Sequence, residues 1–288
     1  MYESYFALRE PAFSITPDPR FLWLSDTHEE GLAVLRYGIQ QRKGFILLTG
    51  EVGAGKTTLL RAALKTVPRD DLDALGTAMI MNTVGLTSLD LLKLIAADFQ
   101  IGERMKTRAD YIIALDTFLL KRLKDGLNTV LIIDEAQNLS PEALEQVRLL
   151  SNVETDTYKL LQIVLSGQPE LRQKLASPEL EQLRQRIAIE HHVEPLQPDE
   201  VRRYLHHRIQ VAGGQYEQIF GAGCDTTFAR FSRGRPRLIN LLADRVLLAA
   251  YVKRLRPLPR AFVEEKAREM AMALLVPPPK PDDEDSDG

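Results

Sequence analysis

Cysteine occurs once in 288 residues, at Cys224, so the chain cannot form an internal disulfide. Its histidines, His28, His191, His192, His206 and His207, never stand four residues apart, and no cysteine pair completes a metal framework. On a helix His206 and His207 would diverge by about 100°, so their adjacency brings no chelate. No apolar run is long enough to cross a bilayer, and the start, MYESYFALREPAF, lacks a basic stretch followed by an apolar one. These residues are therefore expected neither to insert into a membrane nor to carry a secretory leader, and a reducing, cytoplasmic setting fits. Charge of one sign is also scarce. A net charge of -3 and a pI near 6.0 argue against a chain whose main task is to coat nucleic acid, although local basic patches stay open.

What is present is an ordinary globular composition, 44% hydrophobic and 27% charged, enough for a full core and a smaller second domain. Near the start, Pro11, Pro17 and Pro19 forbid a long helix, yet aromatic and aliphatic residues are too many for disorder. Thr27 and Glu30 then read as a T-x-x-E capping box, with Leu32, Leu35 and Ile39 following at helical spacing. Farther on, the apolar runs FILLT, TAMIMN, TVLIID and LLQIVLS alternate with helical stretches such as TTLLRAALK and PEALEQVRLLSNV, which indicates a parallel sheet covered on both faces. After HHVEPLQPDE the strands stop and helical periodicity takes over. The expected layout is an irregular segment and helix packed on the core at 1–43, an α/β domain at 44–196, an all-helical domain at 197–275 and a disordered, proline-rich acidic tail at 276–288.

Between the first apolar run and the next helix stands GEVGAGKTTL. Glycine has the most backbone freedom to lose, so a cluster there means that the backbone must go where side chains cannot. Gly50, Gly53, Gly55, Lys56 and Thr57 complete G-x-x-x-x-G-K-[ST] in the strand-to-helix setting that its mechanism requires. The loop of Gly50, Glu51, Val52, Gly53, Ala54, Gly55, Lys56, Thr57 and Thr58 is expected to cradle phosphates with its N–H groups. Lys56 would reach the β and γ phosphates, and the Thr57 hydroxyl would ligate magnesium.

The run LIIDEAQ supports this reading by ending an apolar strand on Asp134 and Glu135. Asp134 can hold magnesium, and Glu135 can polarise the water that attacks the γ phosphate. A glutamate directly after the aspartate favours ATP hydrolysis, and no N-K-x-D guanine selector occurs. ATP with magnesium is the expected ligand. A further strand end, IVLSGQPEL, places Ser166 and Gln168 beside Asp134 in the expected sheet. Gln168 either reaches the γ phosphate or the attacking water, or merely opens the turn before Pro169. Arg184 and Arg186 close the α/β domain, either with a role there or as a solvated helix end. Arg233, Arg235 and Arg237 surround a helix start, where the helix dipole favours anions, so their placement hints at an anionic ligand.

With these pieces in order the chain resembles an AAA+ ATPase: an α/β P-loop sandwich with a C-terminal helical lid. The resemblance implies Gln168 as sensor 1, Arg186 or Arg184 as an arginine finger acting on the neighbouring subunit, and Arg237 of GRPR as sensor 2. More narrowly, MYESYFALREPAFSITPDPRFLWLS, LRYGI, GFILLTGEVGAGKTTLLR, LIIDEAQNLS, RLLSNVETDTYKLLQIVLSGQPEL and GRPRLINLLADR resemble the general secretion pathway protein A family, the ExeA-type ATPases. That resemblance implies an ATP-driven module that self-associates into a ring or helical oligomer, such as a hexamer. It also implies an inner-membrane or secretion-system protein partner, in secretin, pilus or polysaccharide export. The best-known type continues through a transmembrane helix into a peptidoglycan-binding domain, so a shorter member or a cytosolic fragment is expected here. Two rival readings stand beside it. One is a DNA-transposition regulator that assembles on nucleic acid, for which Lys253, Arg254, Arg256 and Arg260 are the candidate contacts. The other is a nucleotide-gated interaction switch whose turnover is incidental.

Overall fold

The computed structural model describes residues 1–16, 18–65, 75–102, 105–154 and 159–273, so the expected tail at 276–288 lies outside the described residues. The described chain divides into two compact units.

The α/β unit comprises the described residues of Asp26–Glu51 and Lys56–Glu194. Its strands are β1 (Phe45–Gly50), β2 (Gly76–Ile80), β3 (Thr129–Ile133), β4 (Gln162–Gly167) and β5 (Ile187–Val193). They form one parallel sheet in the order β2-β3-β4-β1-β5. The three inner strands are buried at every position, as continuous apolar runs should be when both faces are covered. The helices of this unit are α1 (Asp26–Gln40), α2 (Lys56–Lys65), α3 (Ser88–Asp98), α4 (Arg108–Lys124), α5 (Pro141–Leu150), α6 (Pro169–Leu175) and the single turn α7 (Glu181–Arg184). Leu91, Leu92 and Ile95 of α3, with Leu144 and Val147 of α5, pack in one core with Leu131 and Ile133 of β3. Because Ile133 and Leu47 both pair with Leu165, Asp134 directly after β3 stands beside Ser166 of β4, which itself pairs with Leu48 of β1, so these strand ends gather on one side of the sheet.

The sequence pattern misses β5, and the reason is visible in its burial. It is an edge strand whose Ala188 and Glu190 are exposed and whose His191 and His192 replace the apolar run seen in the inner strands. Helix α1 starts at Asp26, so Thr27 lies in its first turn and not at the capping position expected of it. The Thr27 carbonyl instead accepts a hydrogen bond from His191 Nε2 at 2.9 Å. A capping box does form at Thr107 and Asp110 of α4.

The helical unit gathers Met1–Ser25, Val52–Gly55 and the described residues of Pro195–Gly288. Its helices are α8 (Pro198–Val211), the single turn α9 (Tyr216–Ile219), α10 (Cys224–Ser232), α11 (Pro236–Lys253) and α12 (Arg260–Ala273). The N-terminal segment belongs to this unit, which corrects the expectation that residues 1–43 pack as one piece on the α/β core. Phe6, Phe13 and Phe21 fill the same core as Phe228, Val246 and Leu247. Arg208, 8% exposed, ties the segment down. Its guanidinium donates to the carbonyls of Ala12 at 2.7 Å and Ser14 at 3.0 Å and lies 4.8 Å from the centre of the Phe21 ring. Tyr2 adds a hydrogen bond to Asp244 at the other end of the segment. Among the described residues no helix is long and apolar enough to cross a membrane.

Replacing Arg208 with Met leaves the Ala12 and Ser14 carbonyls without their donor, which should lower stability by roughly 2 kcal/mol. Hydrogen exchange of residues 1–16 should rise in the same variant. Exchange identical to wild type would show that the aromatic contacts hold the segment alone.

Candidate functional site

Strand β1 ends at Gly50 and α2 begins at Lys56, so the glycine loop must turn sharply between a buried strand and a helix start. Gly53 at φ 79° and Gly55 at φ 101° adopt backbone conformations that other residues rarely tolerate. At Gly50 a Cβ would stand 2.8 Å from the Val193 carbonyl oxygen of β5. The tip of the loop, Val52–Gly55, clusters with the helical unit, where the Gly53 carbonyl accepts from the Arg237 backbone N–H at 3.4 Å. Glu51 and Val52 are exposed, Ala54 is buried, and Thr58 lies half-buried in the first turn of α2.

Lys56 is 5% exposed, and its ammonium donates to the loop's own carbonyls, Gly50 at 2.7 Å and Glu51 at 3.0 Å. Burial lowers its pKa below the ordinary lysine value, and the negative charges of Glu135 and Asp134 oppose that shift. Next in the helix, Thr57 donates its hydroxyl to Asp134 Oδ2 at 2.6 Å. Asp134 directly follows β3 and is 2% exposed. Its other oxygen, Oδ1, accepts from Ser166 Oγ at 2.7 Å and from the Glu135 N–H at 3.0 Å. A carboxylate this buried requires such donors, and it has three.

Glu135 takes a left-handed backbone conformation, φ 53° and ψ 36°, which costs about 1 kcal/mol or more for a side-chain-bearing residue. Its carboxylate oxygen Oε2 accepts from Gln168 Nε2 at 3.0 Å and from Gln137 Nε2 at 2.6 Å. Its backbone carbonyl accepts from the buried Thr83 hydroxyl at 2.8 Å. Gln168 holds the position before α6, yet its side chain makes no capping bond and turns to Glu135 instead. Lys56, Thr57, Asp134, Ser166, Glu135 and Gln168 are thus brought together at one sheet edge.

Among the described residues no hydrogen bond links Arg184 or Arg186 to that cluster. Arg184 is exposed at the end of α7, while Arg186 donates to Ser151 Oγ at 2.7 Å. Arg237 is exposed at the start of α11, in the helical unit, and Arg235 donates to the Ser232 carbonyl at 3.2 Å. Sequence reading passed over Gln137 and Thr83. A signal existed for Gln137, a polar residue two positions after a motif carboxylate, but nothing in the sequence links Thr83 to Glu135.

These residues fit a magnesium nucleotide. The Thr57 hydroxyl and the Asp134 carboxylate are hard oxygen donors of the kind magnesium takes. The loop has no Cβ at Gly50, Gly53 or Gly55 to keep phosphates away, and its buried lysine donates to carbonyls of the loop itself.

A family model described as an AAA domain matches residues 39–175. In fold the chain is similar to a chain of Drosophila ORC bound to DNA, with a TM-score of 0.69 at 16% identity, covering 92% of this chain and 66% of that one. It is likewise similar to Cdc6p from Pyrobaculum aerophilum, with a TM-score of 0.65 at 18% identity, covering 84% and 66% of the two chains. At such identities the likeness concerns fold alone, and the fold and loop together define an AAA+ P-loop protein. Over 257 residues the chain is 46% identical to general secretion pathway protein A of Aeromonas hydrophila, covering 88% of this chain and 45% of that protein. The chain belongs to the general secretion pathway protein A family, and it spans less than half the length of that relative.

Ser166→Ala removes one of the three donors to Asp134 and leaves the other two. The magnesium concentration needed for half-maximal nucleotide binding should rise several-fold, by titration at fixed nucleotide. An unchanged requirement would show that the Ser166 bond does not set the orientation of Asp134.

Proposed function

We propose that the chain is an ATPase module that binds ATP with magnesium and hydrolyses it to drive assembly or remodelling of a partner complex. The observation that carries this reading is the meeting of Asp134 with Thr57 and of Glu135 with Gln168 at one end of the sheet. The loop N–H groups and Lys56 would hold the phosphates, with the Lys56 ammonium exchanging the Gly50 and Glu51 carbonyls for phosphate oxygens. Thr57 and Asp134 would hold magnesium, which neutralises charge on the phosphates. Glu135 takes a proton from water as the water oxygen bonds to the γ phosphorus and the bond to the bridging oxygen breaks, leaving ADP and phosphate. Gln168 orients that water or the γ phosphate as sensor 1, and Arg237 acts as sensor 2 from the helical unit.

Family likeness supports a partner setting for this module. Likeness to general secretion pathway protein A supports a module of a secretion, pilus or exopolysaccharide export system, self-associated as a ring or helical oligomer on the cytoplasmic side of the inner membrane. The arginine finger, Arg186 or Arg184, would act across that assembly. A DNA-bound role has less support, because the net charge is -3 and two members of the basic cluster proposed for it, Lys253 and Arg260, face glutamates. Arg256 donates to the Tyr5 and Gln218 carbonyls, Arg260 pairs with Glu264 at 2.7 Å, and Arg254 lies over the Tyr251 ring.

Lys56→Ala should abolish ATP binding, whereas Glu135→Gln should keep binding and lose turnover, because an amide holds the shape but cannot take the proton. Equilibrium binding of a labelled ATP and steady-state phosphate release separate the two, and wild-type hydrolysis by Glu135→Gln would move the base elsewhere. For the finger, Arg186→Ala alone should lose on the order of a thousandfold in turnover. Mixing it with Glu135→Gln should restore part of the activity, since an Arg186→Ala subunit keeps its own base and receives an intact finger. The same mixing with Arg184→Ala decides between the two arginines. Full activity of Arg186→Ala by itself would reject Arg186 in that role.

A further inference from the structure

Glu135 is held by a second side chain that the ATPase reading does not use. Gln137, two residues on, belongs to the single 3-10 turn Ala136–Asn138 that follows the left-handed backbone of Glu135. That left-handed step folds the chain back, so that the Gln137 amide meets the Glu135 carboxylate. Its Nε2 donates to Glu135 Oε2 at 2.6 Å, while its Oε1 accepts from the backbone N–H of Gln168 at 3.1 Å. The same Oε2 takes the side-chain amide of Gln168. One oxygen of the carboxylate is therefore anchored by two donors. Among the described residues no hydrogen bond engages the other, Oε1.

The surroundings hold Gln137 in this pose. A Cβ at Gly167 would stand 2.6 Å from Gln137 Oε1, so the end of β4 has room for the amide only because residue 167 is glycine. Lys174 of α6 donates to the carbonyls of Gln137 and Leu139, fixing the turn from its other side. Backbone strain, a glycine that clears space and a lysine that braces the turn all converge on one amide whose two ends have different tasks.

We infer that Gln137 is a positioning residue for Glu135: it anchors Oε2, leaving Oε1 to take the proton of the attacking water, and it locks Gln168 into the same frame. The inference rests on Glu135 acting as the base. Gln137 touches neither nucleotide nor water in this role. It acts by narrowing the orientations of a carboxylate whose position sets the rate, since a misplacement of about 1 Å costs about a hundredfold.

Two substitutions separate the ends of the amide. Gln137→Met keeps the length and loses both bonds. Gln137→Glu keeps an acceptor for the Gln168 N–H but cannot donate to Glu135 when ionised. Both should lower kcat by about ten- to a hundredfold. KM for ATP and the affinity for a non-hydrolysable analogue should stay within about twofold of wild type, since Gln137 does not touch the phosphates. Hydrogen exchange at the Gln168 amide should quicken in Gln137→Met and stay slow in Gln137→Glu, a readout that needs no turnover. In a Glu135→Gln background, Gln137→Met should change the residual rate by less than about twofold, because a residue acting through the carboxylate has nothing left to act on. Wild-type kcat in Gln137→Met, or an equal loss in the presence and absence of the Glu135 carboxylate, would overturn the inference while leaving the base in place. Full turnover by Glu135→Gln alone would instead remove the base, and this role of Gln137 with it.

Discussion

The hydrogen bond from Thr57 to Asp134 joins the helix that follows the glycine loop to the end of β3, and the rest of the site is arranged around it. The two residues lie 77 positions apart, and β4 runs between the strands that lead to them. Ser166 of that intervening strand supplies another donor to Asp134, so β4 and the helix that follows β1 converge on the carboxylate that follows β3. Burying a carboxylate without partners would cost several times the roughly 1 kcal/mol net gain of an ordinary hydrogen bond. The donors that satisfy Asp134 therefore also fix the one geometry in which it survives burial.

Glu135 follows the opposite logic. Asp134 is enclosed and satisfied, whereas its neighbour sits in a strained backbone conformation with amides on one oxygen only. Strain at a motif residue persists only where the surroundings over-determine it. Here the Thr83 hydroxyl and the Asn138 N–H both bind the Glu135 carbonyl, and Lys174 braces the turn that follows. Stability at this sheet edge is given up locally to aim a side chain and recovered by backbone hydrogen bonds around it.

The helical unit shows how a segment without regular structure is held. Prolines keep the N-terminal residues from forming a long helix, so their order comes from aromatic side chains buried among helices and from Arg208, whose guanidinium satisfies carbonyls that no secondary structure serves. Among the basic residues near the end of α11, Arg256 donates to neutral carbonyls, while Lys253 and Arg260 face Glu265 and Glu264.

Much of this was legible in the chain as written. Continuous apolar runs marked β1, β3 and β4 because inner strands of a parallel sheet are dry on both faces, and the run TAMIMN marked β2 although it stands at the sheet's edge. The loop motif was readable because its glycines, lysine and threonine must be contiguous to act. The other edge strand, β5, was hidden because it carries Glu190, His191 and His192 in place of an apolar run. Pairing across the sheet was equally hidden: Asp134 with Ser166, Glu135 with Gln137 and Gln168, and Thr83 with the Glu135 carbonyl. Adjacency in sequence determined which residues could share a phosphate, because backbone N–H groups of one loop act together. Strand order and a single left-handed residue decided which carboxylate oxygen is anchored and which is left open, because side-chain direction at a strand end depends on neighbours that only the folded sheet brings near.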